Sequence, residues 1–101
     1  MNVLEKIKAT VQEIEPNAKI ILYGSYSRGD FRNDSDIDIL VLIDSEKPSQ
    51  IAIKRIHYLL YDIEFEEGIV ISPLVYSKNE WESKHRITPF YENVLKEGKM
   101  I

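Results

Sequence analysis

The hydrophobic patterning of this chain predicts an α/β fold: a mixed sheet of at least three strands with helices packed mainly on one face. Three observations carry that expectation. Apolar residues recur at helical spacing in two long stretches, Val3, Leu4, Ile7, Val11 and Ile14, then Ile51, Ile53, Ile56, Leu59, Leu60 and Ile63. Unbroken apolar runs of strand length, Ile20-Ile21-Leu22 and Ile39-Leu40-Val41-Leu42-Ile43, lie between those stretches. The second helical stretch spans about 18 residues between two strands, long enough for a crossover that lays those strands parallel.

The opening helix is amphipathic, with Glu5, Lys6, Lys8, Gln12 and Glu13 opposite its apolar stripe, and Pro16-Asn17 stops it. A first strand follows at residues 19–23, and its three consecutive aliphatics suit a central strand covered on both faces. Gly24-Ser25 then turns the chain. Ser25 is placed to cap a short helical segment that carries the chain to Asp30, and Phe31-Arg32-Asn33-Asp34 reads as a polar loop. The second strand is expected at 36–43 and is broken by Asp44-Ser45-Glu46-Lys47-Pro48. The long second helix, from residue 49 to about residue 66, ends in a run of acids closed by Gly68; each acid there opposes the helix dipole by about a few tenths of a kcal/mol. A third strand is expected at 69–76. Ser77-Lys78-Asn79-Glu80 has the form of a capping box opening a short helix, and Thr88-Pro89 supplies the cap and first position of a last helix ending at Gly98.

With 101 residues and no repeat, low-complexity tract or linker, residues 1–101 are expected to form a single domain with one core. There is no room for a separate acceptor-binding domain. A sizeable acceptor would have to be held by a partner protein or by a second copy of the chain. The formal charge of −4 and pI near 5.2 argue against a surface that grips nucleic acid by neutralising its phosphates, so a polynucleotide substrate is disfavoured. The chain has no cysteine, which excludes disulfides and thiolate metal sites. No apolar stretch reaches transmembrane length and the first ten residues lack a basic-then-apolar signal pattern, so the expected setting is the cytoplasm, away from membranes.

The chemistry concentrates in Tyr23-Gly24-Ser25-Tyr26-Ser27-Arg28-Gly29-Asp30 and Ser35-Asp36-Ile37-Asp38. Gly24 permits backbone angles and close approaches that a side chain would forbid. Free N–H groups at a strand-to-helix junction, the Ser25 hydroxyl and Arg28 about one helical turn on suit the oxygens of a phosphate chain. Arg28 has a plain alternative, a surface pair with Asp30 or Asp34. Asp36 and Asp38, two apart at the start of a strand, point to one face while Ile37 and Ile39 point to the other. Two crowded carboxylates repel, and a divalent cation relieves that repulsion; Mg²⁺ takes one or two carboxylates plus substrate phosphates. A short connection between the strands brings anion grip and acids to one end of an antiparallel pair.

Gly24-Ser25, ten intervening residues and then Asp36-Ile37-Asp38, with Arg28-Gly29 inside the gap, resemble the signature of the minimal nucleotidyltransferases of the DNA polymerase beta superfamily. The resemblance spans most of the chain. It implies the nucleotidyltransferase fold, Mg²⁺ held by Asp36 and Asp38 as catalytic and metal-binding residues, and a nucleoside triphosphate, ATP, gripped by Gly24, Ser25 and Arg28. The implied reaction moves a nucleoside monophosphate to an acceptor hydroxyl. Small members of this kind are often the antitoxin to a small helical HEPN-type toxin, so such a partner is implied too, and a homo-oligomer is an alternative assembly. Tyr26 and Ser27, where the family often has other residues, are expected to shape the mouth of the nucleotide pocket.

Active members carry a third carboxylate on the strand after the second helix. Here that strand reads Gly68-Ile69-Val70-Ile71-Ser72-Pro73-Leu74-Val75 and contains no acid, so Ser72 is expected at the degenerate third position. A hydroxyl is a far poorer metal ligand than a carboxylate, which weakens catalysis more than binding. Asp62, Glu64 and Glu67 are the acids available to substitute, provided they reach back from the helix end. Two readings follow: an enzyme that transfers adenylate to a partner, or a catalytically impaired, nucleotide-binding interaction module. His57 and His85 have no ligand partner at metal-binding spacing and read as structural or solvated. Trp81, Phe90 and Tyr91 read as packing residues of the last two helices or as interface anchors.

Overall fold

The helices and the first three strands form where the periodicity places them. In the computed structural model, which describes residues 2–45 and 49–101, the elements run α1 (Val3–Ile14), β1 (Lys19–Tyr23), α2 (Ser25–Arg28), β2 (Ile37–Ile43), α3 (Gln50–Glu67), β3 (Ile71–Ser77), α4 (Lys78–Ser83), α5 (Pro89–Glu97) and β4 (Lys99–Met100). One four-stranded mixed sheet has the order β3-β2-β1-β4. The short α2 connection folds β2 back antiparallel to β1, whereas the long α3 crossover returns the chain for β3 to lie parallel to β2. The tail β4 adds antiparallel to β1 at Ile21 and Leu22. Strand periodicity did not predict it, because two residues after Gly98 carry no alternation to read.

The sheet divides its side chains between two cores. Ile37, Ile39, Val41 and Ile43 of β2 join Ile20, Leu22 and Ile71 on one face, closed by Ile7 and Val11 of α1 and Ile56, Leu60 and Ile63 of α3. Each such aliphatic contributes about 1.5–3 kcal/mol through burial. Leu40 and Leu42 of β2 point to the other face, where Trp81, Tyr91 and Val94 of α4 and α5 cover them and Ile21, Tyr23, Tyr76 and Phe90 pack alongside. The two long helices thus lie on one face, as expected, and the two short ones on the other. Trp81 is the hub of the second core, edge-on to Phe90 at 5.6 Å and tilted on Tyr91 at 4.9 Å. His85 packs on Tyr76 at 4.2 Å, and His57 is exposed to solvent.

The helix ends at Ser77, Thr88 and Gly68 follow the predicted chemistry, and Ser49 is an N-cap where the sequence placed the first helical residue. Ser49, Ser77 and Thr88 accept from the backbone N–H groups of Ala52, Glu80 and Tyr91, and Pro89 opens α5. Gly68 closes α3 in the left-handed region at φ 68°. The acidic end of α3 is partly relieved by Lys6 of α1, whose ammonium lies 2.5 Å from Glu67. Strand boundaries shift by one or two residues from expectation. The Val70 carbonyl accepts from the Ile37 N–H at 2.8 Å, so the ladder itself starts at Ile37 and Ile71 rather than at residues 36 and 69. At its other end β3 runs on through Ser77, which also caps α4. β2 ends at Ile43 as predicted, and residues 46–48 of the expected strand break lie outside the described residues.

Candidate active site

The strand end at which β1 runs into Gly24 and β2 begins gathers most of the predicted site residues. Gly24 has φ 74° and ψ −156°, a backbone conformation essentially restricted to glycine. A Cβ there would stand 2.5 Å from Asp38 Oδ2. Conformation and space therefore both require glycine, and the first strand's backbone passes directly against a carboxylate of the second. Gly24 is itself the N-cap of α2, and no side chain caps that helix. The expectation that Ser25 is the cap is thereby corrected: the turn comes one residue earlier, at the positive φ of Gly24. Ser25 is the first helical residue, and its carbonyl accepts from the N–H groups of Gly29 and Asp30 at 3.0 and 3.2 Å.

Asp38 sits opposite Tyr23 on β1 and opposite Ser72 on β3. Strand parity places it on the face of Leu40 and Leu42, at the end of the aromatic core. Burial pushes the Asp38 carboxyl above the usual carboxylate range, the neighbouring charges of Asp36 and Glu97 push it further, and Arg28 opposes them. Burial and then the Asp38 charge push the Tyr23 phenol up to about 12, so it stays a protonated hydroxyl beside the acids. Asp36 is more exposed, and the Ser72 hydroxyl donates to its Oδ2 at 3.5 Å.

Asp62, Glu64 and Glu67, the acids that could substitute for a third carboxylate only by reaching back from the helix end, do not reach back. Glu67 pairs with Lys6, Glu64 accepts the Ile71 N–H at 2.6 Å, and Asp62 is exposed on α3. Among the described residues no group of three or more His, Cys, Asp or Glu is placed to hold a metal. A cation that takes two carboxylates and completes its shell with substrate oxygens and water fits Asp36 and Asp38; an all-protein cage does not.

Glu97, at the end of α5, is the residue that sequence reasoning missed. Its Oε1 accepts from the Gly24 N–H at 3.2 Å, and both its oxygens accept from Arg28 Nη1, at 3.3 and 3.1 Å. Arg28 also donates through Nε to Asp30 at 3.2 Å, the surface pairing foreseen for it. A carboxylate thus engages two donors that the sequence assigns to phosphate. Ser27 is buried, and its hydroxyl donates to the Glu97 carbonyl, so it anchors α5 and does not line a pocket mouth, which corrects the expectation for it. Tyr26 stacks flat on the half-exposed Phe31, with ring centroids 4.3 Å apart and an interplanar angle of 5°, forming an aromatic ledge.

Comparison with known proteins identifies the family and the fold. Residues 4–100 match the family described as "Nucleotidyltransferase domain". The chain is 39% identical over 83 residues to "Putative protein adenylyltransferase MJ0604" of Methanocaldococcus jannaschii, with 82% of this chain and 76% of the relative covered. It is 36% identical over 88 residues to "Putative protein adenylyltransferase MJ0141" of the same organism, with 77% and 83% covered. Among solved structures, a toxin–antitoxin with AMP-PNP superposes with a TM-score of 0.65 at 24% identity, over 99% of this chain and 72% of that one. A mutant of the toxin–antitoxin MntA-HpeT gives 0.63 at 21% identity, over 99% and 71%. These two share the fold. From a match that runs nearly end to end and a Gly-Ser turn seated against the Asp-x-Asp strand, the chain belongs to the nucleotidyltransferase domain family.

Proposed function

We propose that residues 1–101 form a single minimal nucleotidyltransferase domain that transfers AMP from ATP to a hydroxyl of a partner protein, in a Mg²⁺-dependent reaction in the cytoplasm. The partner in this reading is a small helical HEPN-type toxin, and the chain is its antitoxin. The observation that supports the proposal is the close approach of Gly24 to Asp38, where a Cβ at Gly24 would stand 2.5 Å from Asp38 Oδ2, so that the Gly-Ser turn and the acidic pair lie at one strand end. Relatives named as protein adenylyltransferases support a protein acceptor, and a neighbour of the same fold that is a toxin–antitoxin with AMP-PNP supports the nucleotide and the partner. The net charge of −4 favours a protein over a polynucleotide acceptor.

In the reaction the acceptor oxygen attacks the α-phosphorus and a new P–O ester bond forms. The bond from that phosphorus to the bridging oxygen of the β-phosphate breaks, pyrophosphate leaves with the electron pair, and the hydroxyl proton is released. Asp36 and Asp38 would hold Mg²⁺, which would supply the positive charge that the triphosphate and leaving group require. The Gly24 N–H, the Ser25 hydroxyl and Arg28 grip the phosphates, and the nucleotide displaces Glu97 from the two donors it now occupies. Isothermal titration calorimetry with ATP is expected to show Mg²⁺-dependent heat that disappears in the double variant Asp36→Asn, Asp38→Asn. Unchanged affinity in that variant would remove the site.

One observation favours the impaired reading. Ser72 lies opposite Asp38 with its hydroxyl directed at Asp36, where a third carboxylate would sit, and it cannot take up the proton of the acceptor. Transfer is then slow but present, because positioning and the charge held by two carboxylates still lower the barrier. Ser72→Asp is expected to raise the transfer rate. If the wild type and Ser72→Asp both bind nucleotide and partner without transfer, the chain is a nucleotide-binding interaction module.

A further inference from the structure

The outer face of α3 carries a row of large side chains that none of the described residues covers. Phe65 is 89% exposed, Ile51 81%, Tyr61 72% and Tyr58 71%. At about 100° of rotation per residue these four fall within an arc of about 80° that includes Tyr58, and the buried Ile56, Leu60 and Ile63 point the opposite way. Their spacing of three and four residues is that of a coiled-coil seam, with Lys54 completing the row. Exposed apolar side chains scattered singly are ordinary, but an unbroken stripe along an 18-residue helix marks an interaction surface. A groove lined by Lys54, His57, Tyr58, Tyr61 and Asp62 runs beside it.

The charges flanking the stripe identify its occupant. The basic residues Lys54 and Arg55 lie in the N-terminal half of the exposed face, and the acidic Asp62 and Glu66 in the C-terminal half. We infer that the α3 stripe is a homodimer interface, in which a second copy of this chain packs its own α3 antiparallel across a two-fold axis at Tyr58. That arrangement sets Lys54 and Arg55 of each copy against Asp62 and Glu66 of the other, and Ile51 against Phe65. It also opposes the two helix dipoles favourably. A parallel arrangement would face like charges with like. An isologous interface requires one patch that complements itself under a two-fold rotation, and this stripe does so in apolar character, charge and direction. α3 covers the sheet face opposite Asp38, so the dimer leaves the acidic site open in both copies.

The inference is independent of the transfer reaction and is tested by mass rather than by activity. Sedimentation velocity of the full chain is expected to show a monomer–dimer equilibrium with a micromolar Kd, as suits a small interface. Tyr58→Glu is expected to weaken it about tenfold or more, since centrally placed aromatics dominate such contacts. The side chain is exposed, so circular dichroism should stay at the wild-type spectrum, and Tm should match the wild type when both are measured well below the Kd. The paired variants K54E/R55E and D62K/E66K should each be monomeric alone and should form a heterodimer when mixed. A wild type that stays monomeric at about 100 μM, a dimer indifferent to Tyr58→Glu, or a monomer that uses the stripe only to bind a different protein would each overturn the inference.

Discussion

The two faces of the sheet are built from different chemistry, and the difference locates the site. The face under α1 and α3 is a closed aliphatic core of Ile, Val and Leu, with no ionisable group among its buried members. The face under α4 and α5 is aromatic around Trp81, and it passes through Tyr23 to the acids Asp38 and Asp36 at the strand ends. Aliphatic packing on one side fixes the strands in register. The other side uses that register to bring Gly24, Asp36, Asp38 and Ser72 together, and α5 ends there by laying Glu97 over the Gly24 N–H. A substitution in the first core should therefore be felt as stability alone, and one in the second as stability and site geometry together.

The largest expected effect falls on the acids. Asp38→Asn should lower nucleotide transfer by about a hundredfold or more, because a carboxylate that would hold the cation against the triphosphate is lost. The same change should raise the Tm of the nucleotide-free protein at neutral pH, since a carboxylate held against burial and the charges of Asp36 and Glu97 is relieved. Activity and thermal melts on one preparation check both halves; a variant that is less stable and fully active would contradict the account of this face.

The two cores can be set against each other directly. Trp81→Ala should destabilise by about 3–5 kcal/mol and Leu60→Ala by about 2–5 kcal/mol. Only the first should shift the amide resonances of Gly24 and Ser27, because α5 bonds to both and rests on Trp81 through Phe90 and Tyr91. Equal shifts from both substitutions would erase the distinction between the faces.

A smaller effect is expected at Glu97. Glu97→Gln removes an anion from the Gly24 N–H and Arg28 while nearly keeping its shape, so ATP affinity should rise several-fold, about 1 kcal/mol. Calorimetry decides it; weaker binding would mean that Glu97 orients Arg28 for the phosphate instead of competing with it. The gentlest perturbation is pH. The native pKa of Asp38 lies above its unfolded value, so the folded protein binds more protons between the two and its own stability falls as pH rises through the native value. Cation binding needs the carboxylate, so Mg²⁺-ATP affinity should run the other way, rising with pH through that same value and fading below it.

Most of the fold was legible because it rests on short-range periodicity. The stripe of α1, the aliphatic run of β1, the length of α3 and the caps Ser77 and Thr88 are each set by neighbours a few residues away. The Gly-Ser and Asp-x-Asp elements were legible for the same reason, and the antiparallel register brings them together. Glu97 was not, since its bond to Gly24 spans 73 residues and nothing in Lys96-Glu97-Gly98 distinguishes it from any acid at a helix end. Ser27 was misread for a related reason. Its role follows from where α5 docks, and the sequence around it shows only a polar residue in a turn.

Incubating the chain with the proposed HEPN-type partner, Mg²⁺ and ATP, and weighing the intact partner by mass spectrometry, tests the central claim most directly. The account predicts that the wild type adds adenylate to the partner, that Ser72→Asp adds it faster, and that Asp38→Asn adds none. A partner left unmodified by both the wild type and Ser72→Asp, although each binds it tightly, would contradict the claim that this chain transfers a nucleotide.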